Sequence, residues 1–213
     1  MSQRTEIVRI AAGEIGYKES ANNNTKYGAW YGMNNNPWCA MFVSWCAARA
    51  KIPVTVVPKL AYVPYVYSFY KESGRYKSRG AYTPRPGDIV LFGSNDHVGI
   101  VEKVVNGSVV TIEGNTSAAG NSSNGDGVYR RTRALSNSWI KGYCIPNYEE
   151  GEEDVEIQTV KVKSLDTGEL VDVSAVNIQG SNYIKLRDVE KLFPVTIDYD
   201  GVNPTMKLNY KEK

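Results

Sequence analysis

The chain of 213 residues is longer than one typical domain, and 42% hydrophobic with 23% charged residues is an ordinary globular composition. No apolar run approaches the roughly 18 residues that a membrane helix needs, so membrane insertion is not expected. Three cysteines, an odd number, exclude a complete disulfide framework.

The N-terminal part of the sequence predicts one helix and one loop. Residues 4–17 place isoleucine and alanine on one stripe and charged residues elsewhere, which predicts an amphipathic helix. Residues 19–37 are rich in Asn, Gly and Tyr and predict a long surface loop. Such loops often carry binding residues on a rigid scaffold.

The stretch 37–46, Pro-Trp-Cys-Ala-Met-Phe-Val-Ser-Trp-Cys, predicts a helix that starts at Pro37, where a proline loses no hydrogen bond. One of the asparagines at 34–36 is expected to cap it. Cys39 then falls in the first turn, where the positive helix end favours a thiolate nucleophile. A buried packing residue is the alternative, because cysteine is among the most buried residue types.

The other two cysteines are predicted to be core residues. Cys46 lies two helical turns beyond Cys39, and Cys144 lies in a predicted strand. Two turns separate Cα atoms by roughly 10 Å, whereas a disulfide needs less than about 7 Å. Cys39 and Cys46 therefore cannot form a disulfide.

The chain has a single histidine, His97, which begins an alternating run typical of a strand. A turn and strand precede it at 86–93, and another strand is predicted at 108–113. Adjacent antiparallel strands can bring His97 beside Glu113 or Asn115, and either could orient the imidazole. A lone histidine is more often structural, but this one has two candidate orienting groups.

The remaining segments of this half predict a helix, a turn, a loop and two strands. A short tyrosine-rich helix is expected after Pro64, in which tyrosines could line a groove or pack half-buried. An exposed basic turn is expected at 75–79 and a Gly/Ser/Asn loop at 118–127. Strands at 128–133 and 139–145 complete a small antiparallel sheet.

Four ordered motifs resemble the CHAP domain, a family of cysteine, histidine-dependent amidohydrolases/peptidases. They are Trp-Cys-Ala-x-Phe-Val-Ser-Trp-Cys at 38–46, Gly-Asp-Ile-Val at 87–90, Asp-His-Val-Gly-Ile-Val at 96–101 and Glu-Gly-Asn at 113–115. The segments 23–28 and 30–32 also resemble CHAP domains of phage lysins and Firmicutes wall hydrolases. The resemblance covers roughly residues 1–147, about two thirds of the chain.

The resemblance implies an α+β, papain-like domain in which N-terminal helices pack on a small antiparallel sheet. It implies a peptidoglycan hydrolase, either an N-acetylmuramoyl-L-alanine amidase or a peptide endopeptidase. In that mechanism Cys39 is the nucleophile, His97 the acid and base, and Glu113 its orienting group. Asn115 is a further orienting group or a polar wall of the site.

Aromatic residues near Cys39 are candidate substrate-binding residues, because their rings could stack on sugar faces or equally fill the space around the helix start. They are Tyr27, Trp30, Tyr31 and Trp38. Some CHAP domains bind calcium here through clustered Asp residues. Glu19 is the only acid between Glu14 and Glu72, so neither a metal nor a cofactor is predicted.

An acidic run at 148–155 predicts a solvated linker between a catalytic domain, 1–147, and a small domain, 156–213. Through Tyr148 there are 17 Lys and Arg against 9 Asp and Glu, a net charge of +8; the remainder carries −6. The basic part is expected to be drawn to peptidoglycan and its anionic polymers. Scattered basic residues without a recognisable module make nucleic acid an unexpected partner.

The C-terminal part predicts a small α+β domain near the lower size limit for independent folding. Strand-like runs occur at 156–162, 169–173 and 205–209, with a turn at 179–182 and two helical turns at 186–193. The runs 182–189 and 195–200 resemble the stalk-like module related to the copper amine oxidase N-terminal region, common in Firmicutes wall proteins. That resemblance implies wall attachment or self-association into a homo-oligomer; an inert stabilising appendage is the alternative.

The first residues, Met1 to Glu6, contain no apolar h-region, so we expect synthesis in the cytoplasm without a signal peptide. A phage endolysin, which is made in the host cytoplasm and acts on the wall after its release, fits this expectation. The alternative is a secreted protein whose signal peptide has been removed from the sequence. Two functions are alternatives to the peptidoglycan hydrolase. One is a catalytically silent wall-binding protein, and the other is a cytosolic cysteine amidase with a non-wall substrate.

Overall fold

A computed structural model of the chain describes residues 2–117, 124–149, 158–164, 167–178, 181–184, 188–189, 192, 195–199 and 206–210. The chain divides into two compact units, Met1–Glu153 and Asp154–Lys213. Within the described ranges, no helix is both long enough and apolar enough to cross a membrane.

The described part of the first unit contains four helices. They are α1 (Gln3–Gly13), α2 (Lys26–Tyr31), α3 (Cys39–Arg49) and α4 (Val63–Glu72). The side chain of Ser2 caps α1, and a proline in the first turn of α4 fits the predicted helix there. Helix α1 is shorter than predicted because its C-cap is Glu14 and the backbone turns at Gly16, which has a φ of 95°.

Helix α2 corrects the prediction of a continuous loop at 19–37. Its start is set by Thr25, whose hydroxyl accepts a hydrogen bond from the backbone N–H of Gly28. Its end is set by Gly32, which has a left-handed φ of 92°. A six-residue helix is too short to give a clear apolar period, so the sequence pattern does not reveal it.

Helix α3 begins at Cys39, two positions later than predicted. Trp38 occupies the N-cap position, and no side chain caps the helix there, so the predicted asparagine cap is wrong. Asn36 instead donates to the carbonyls of Met33 and Asn34. The prediction that Cys39 lies in the first turn is confirmed.

Six antiparallel strands of the first unit form one sheet in the order β1-β6-β2-β3-β4-β5. Their bounds are Tyr76–Ser78, Ile89–Phe92, His97–Val105, Ser108–Thr116, Gly127–Ala134 and Ile140–Cys144 for β1 to β6. Strand β1 replaces the predicted exposed turn at 75–79, because Tyr76 pairs with Cys144 on β6. The mixture of helices and antiparallel strands confirms the α+β class.

The helices cover one face of this sheet. Ile100 and Ile112 lie in the core formed with α3, together with Cys46 and Cys144, which are fully buried as predicted. Burial raises the pKa of both thiols, and neither forms a disulfide. A smaller apolar cluster around Val90 and Phe92 contains side chains from the other face.

A buried carboxylate, Asp88, connects α1 with the sheet. It accepts hydrogen bonds from Arg4 Nη1 at 2.9 Å and from the Tyr82 hydroxyl at 2.9 Å. Nearby, the buried Tyr148 hydroxyl donates to the carbonyl of Gly87 at 2.7 Å. Tyr148 therefore packs on the first unit, and the bounds of 1–147, 148–155 and 156–213 stay predictions.

The described part of the second unit contains five strands. They are β7 (Gln158–Lys163), β8 (Leu170–Ile178), β9 (Ser181–Ile184), β10 (Val195–Tyr199) and β11 (Met206–Tyr210). Strands β7, β8 and β9 form one antiparallel sheet, and β10 pairs with β11. Of the helical turns predicted at 186–193, the structure describes only 188–189 and 192, and of the turn predicted at 179–182 only 181–182; the other residues of both lie outside the described ranges.

The contact between α3 and β4 depends on the missing side chain of Gly114. A Cβ there would lie 2.6 Å from the Trp38 ring and 2.7 Å from Phe42, both fully buried. Only glycine therefore lets the helix that begins at Cys39 approach the strand that carries Glu113.

We predict that Gly114→Ala destabilises the first unit by about 1–3 kcal/mol, since overpacking forces buried rings to move. The midpoint of thermal unfolding, followed by circular dichroism, falls by several degrees. Gly13→Ala is the matched control, because a Cβ at Gly13 meets nothing within 4 Å. An unchanged or higher midpoint for Gly114→Ala contradicts the packing argument.

Candidate active site

Cys39 is the first residue of α3, so its backbone N–H is among the donors that lack an intrahelical acceptor. All three cysteines of the chain lie in the described range, and they differ in exposure. Cys39 keeps 4% of its surface exposed, whereas Cys46 and Cys144 keep none. Cys39 is thus the one of the three cysteines with any exposed surface.

His97 is fully buried at the start of β3, and its ring interacts with Cys39 on one side and Glu113 on the other. Nε2 donates a hydrogen bond to Oε2 of Glu113 at 3.1 Å. The other ring nitrogen, Nδ1, makes no hydrogen bond within the described part of the chain. Nδ1 is therefore the nitrogen left to face the Cys39 thiol.

Glu113 lies on β4, the strand next to β3, and is also fully buried. Of the two orienting groups that the sequence left open, Glu113 is the one bonded to His97. Gly99, two residues after His97, makes room for it, because a Cβ there would lie 2.6 Å from Glu113 Cγ.

Asn115 follows two residues later on the same strand and is fully buried. Its φ of 55° is left-handed, and the pairing of β4 with β5 shifts register between Glu113 and Thr116. The carbonyl of Asn115 accepts from the backbone N–H of Gly125 at 3.0 Å. Its role beside the imidazole stays a prediction.

Arg133, on β5, is a member of the site that sequence reasoning missed. Nη1 donates to Oε1 of Glu113, and Nη2 donates to Oε2 at 3.2 Å. The signal was the alternation along 129–134, where the even positions are exposed and the odd ones are not. An inward-facing arginine in that pattern requires a buried acid on a neighbouring strand.

Stacked aromatic rings cover one side of this polar cluster. Trp139 stacks on His97, with ring centroids 5.7 Å apart and planes 12° apart, and on Phe92 at 4.6 Å. The guanidinium of Arg133 lies 4.6 Å from the Phe92 ring centroid and 5.0 Å from that of Trp139. The rings restrict the plane of the imidazole and keep water from it.

The electrostatics of the cluster favour a charged imidazole. Burial lowers the pKa of His97, but interactions with Cys39 and Glu113 outweigh burial and raise that pKa to about 9. Burial raises the pKa of Glu113, but hydrogen bonds and charges from His97 and Arg133 outweigh it, and the net shift is downward. The site therefore holds an ionised carboxylate beside a ring that is protonated at neutral pH.

The structure separates the four candidate substrate-binding aromatics into two pairs. Tyr27 and Trp38 are fully buried and stack at 5.1 Å, so neither ring can bind a sugar, and this prediction is corrected. Tyr27 donates to Glu14, and Trp38 Nε1 donates to Glu19 at 2.6 Å. These two rings fill the space around the start of α3.

Trp30 and Tyr31 keep partly exposed surface at the end of α2. The ammonium of Lys59 lies 4.7 Å from the Trp30 ring centroid and 5.1 Å from that of Tyr31. These two residues remain candidates for substrate contact. The described residues include no group of three or more His, Cys, Asp and Glu side chains suited to hold a metal ion.

Comparisons with known proteins give one family match and several structural ones. No curated protein matches the chain. A crystal structure of Ly7917 is similar over 85% of this chain and 86% of its own, with 12% identity and a TM-score of 0.40. A crystal structure of Ly7917 with the hydrolyzing product of MDP covers 85% and 80%, with 13% identity and a TM-score of 0.40. Residues 30–115, which include Cys39, His97, Glu113 and Asn115, match the CHAP domain family.

Proposed function

We propose that the chain is a peptidoglycan hydrolase that cleaves an amide bond of the wall peptide through Cys39. The observation that carries the proposal is the buried row of Cys39, His97 and Glu113, in which His97 interacts with both neighbours. The match of residues 30–115 to the CHAP domain supports the same reaction class, since that segment contains all three residues.

In the proposed first step, the Cys39 thiolate, held in an ion pair with the protonated His97, attacks the carbonyl carbon of the bound amide. The carbonyl oxygen gains negative charge, and the backbone N–H of Cys39, at the start of α3, is a suitable donor to it. Glu113 accepts from Nε2 of His97, which keeps Nδ1 available for the thiol.

In the next steps His97 gives its proton to the leaving amine, and the carbon–nitrogen bond breaks to leave a thioester on Cys39. A water molecule then attacks the thioester while His97 accepts its proton. The acid product leaves and Cys39 is restored. Whenever the His97 ring is protonated, the ionised Glu113 lies next to it and compensates its positive charge in a buried place.

The bond and the biological setting are open to experiment. An amidase and an endopeptidase use the same three residues, so both remain candidates. The net charge of +8 through Tyr148 favours approach to anionic wall polymers. Action as a phage endolysin and wall attachment by the second unit stay predictions from the sequence.

We predict that Cys39→Ala abolishes release of wall fragments, a loss of about 10³-fold or more, because no other group can form the thioester. The measurement is digestion of purified Gram-positive peptidoglycan, with mass spectrometry of the products. Amidase and endopeptidase products differ in their new termini, so the same spectra identify the bond.

Cys46→Ala is the matched control, since it removes a fully buried thiol from the same helix. It is expected to lower stability while fragment release persists. Absence of fragments from walls of several peptide types, with the wild-type protein folded and reduced, contradicts the hydrolase. That result favours a silent wall-binding protein.

We predict that catalysis declines on the alkaline side near pH 9, where His97 loses the proton that the leaving amine needs. Glu113→Gln removes a charge that raises the pKa of His97, so this decline moves to lower pH. The measurement is kcat/KM between about pH 6 and 10. Glu102→Gln, which removes a carboxylate of β3 paired with Arg130, is the control and keeps the wild-type profile.

A further inference from the structure

Arg133 and His97 approach Glu113 from different strands. The order β3-β4-β5 places Glu113 on the central strand, with His97 on one neighbour and Arg133 on the other. Oε2 accepts from both His97 and Arg133, whereas Oε1 accepts from Arg133 and Thr111. The carboxylate is therefore held at both oxygens.

We propose that Arg133 is a positioning residue of the proposed hydrolase: by binding both oxygens of Glu113 it aims Oε2 at Nε2 of His97 and so leaves Nδ1 for Cys39. This inference rests on the proposed function. A bidentate guanidinium–carboxylate contact fixes the plane of the carboxylate as well as its position, whereas a single hydrogen bond leaves the plane free to rotate.

Charge balance gives Arg133 a second effect on the same pair. Cys39 as thiolate and Glu113 contribute two negative charges, and His97 as imidazolium contributes one positive charge. Arg133, only 6% exposed, supplies the second positive charge next to Glu113. Without it, a buried carboxylate loses one of the groups that keep its pKa low.

Packing fixes Arg133 in turn. Its guanidinium lies over the rings of Phe92 and Trp139, and Trp139 stacks on His97. Cation–π contacts of this kind hold a guanidinium in a defined place. The same indole therefore restrains both cations that bind Glu113.

The groups with the largest effects on the pKa values of His97 and Glu113 come from α3, β3, β4 and β5. Glu113 faces His97 from β3 and Arg133 from β5, and Thr111 of its own strand donates to it. Cys39, from α3, acts on His97. Loss of Arg133 therefore acts on the pair of Cys39 and His97 through Glu113.

The test compares Arg133→Met with Arg133→Lys and measures two quantities. The first is the pH dependence of Cys39 alkylation by iodoacetamide, mapped by mass spectrometry, which needs no substrate. The second is kcat and KM on purified walls. Methionine keeps the aliphatic part of the side chain but not the positive charge, whereas lysine keeps the positive charge but cannot form the bidentate contact of a guanidinium.

For Arg133→Met we expect the acidic limb of alkylation to move to higher pH, because Glu113 is protonated more readily. We expect kcat to fall about 10- to 100-fold while KM stays within about twofold, the pattern of a misplaced catalytic group. For Arg133→Lys we expect the acidic limb of the alkylation profile to stay near its wild-type pH, whereas kcat still falls. Arg130→Gln, an equal charge change on the exposed side of β5, is the control and alters neither quantity.

A double variant separates positioning from a merely structural role. In the background Glu113→Gln, Arg133→Met should cause no further loss of kcat or shift of the limb, because its partner is already neutral. The double variant leaves neither the buried carboxylate nor the buried guanidinium unpaired, so it can be measured even where Arg133→Met alone does not fold. Additive losses overturn the inference.

The two proposals fail in different ways. A wild type that releases wall fragments through Cys39, with an Arg133→Met profile identical to wild type, overturns the role of Arg133 alone. A wild type that releases no fragments contradicts the hydrolase, whereas the alkylation profiles still decide whether Arg133 positions Glu113.

Discussion

The four hydrogen bonds to the buried carboxylate of Glu113 are the interaction on which the described site depends. An ionised carboxylate without partners is costly to bury, and here His97, Arg133 and Thr111 compensate it. The arrangement fixes which imidazole nitrogen faces Glu113 and which faces Cys39. The proposed nucleophile therefore depends on an ion pair formed across three adjacent strands.

Close contact between helix and sheet brings the thiol to this carboxylate cluster. Gly114 lets α3 approach β4, and Gly99 makes room for the Glu113 side chain beside β3. The rings of Trp38 and Phe42 fill the remaining space at Gly114. Two glycines without left-handed backbone thus serve the site through the absence of a side chain.

The sequence predicts the parts of the site that follow from local pattern or from motif resemblance, namely Cys39 in a first helical turn and His97 on a strand beside Glu113. It misses Arg133, because the partner of an inward-facing arginine depends on strand order and not on local sequence. It leaves open whether Tyr27 and Trp38 are buried, since an aromatic ring suits a core and a sugar equally. The sequence also does not predict the short elements α2 and β1. The bounds of α2 are set by its caps, and those of β1 by its pairing with β6.

The most direct test of the account is a ¹⁵N NMR titration of histidine-labelled protein, since the chain contains one histidine. The account predicts an imidazolium at neutral pH, with both ring nitrogens protonated and a titration midpoint near 9. It also predicts that Nε2 keeps its proton above that midpoint, because Glu113 continues to accept from it. A neutral ring at pH 7, or a proton retained on Nδ1 instead, would contradict the ion pair of Cys39 and His97.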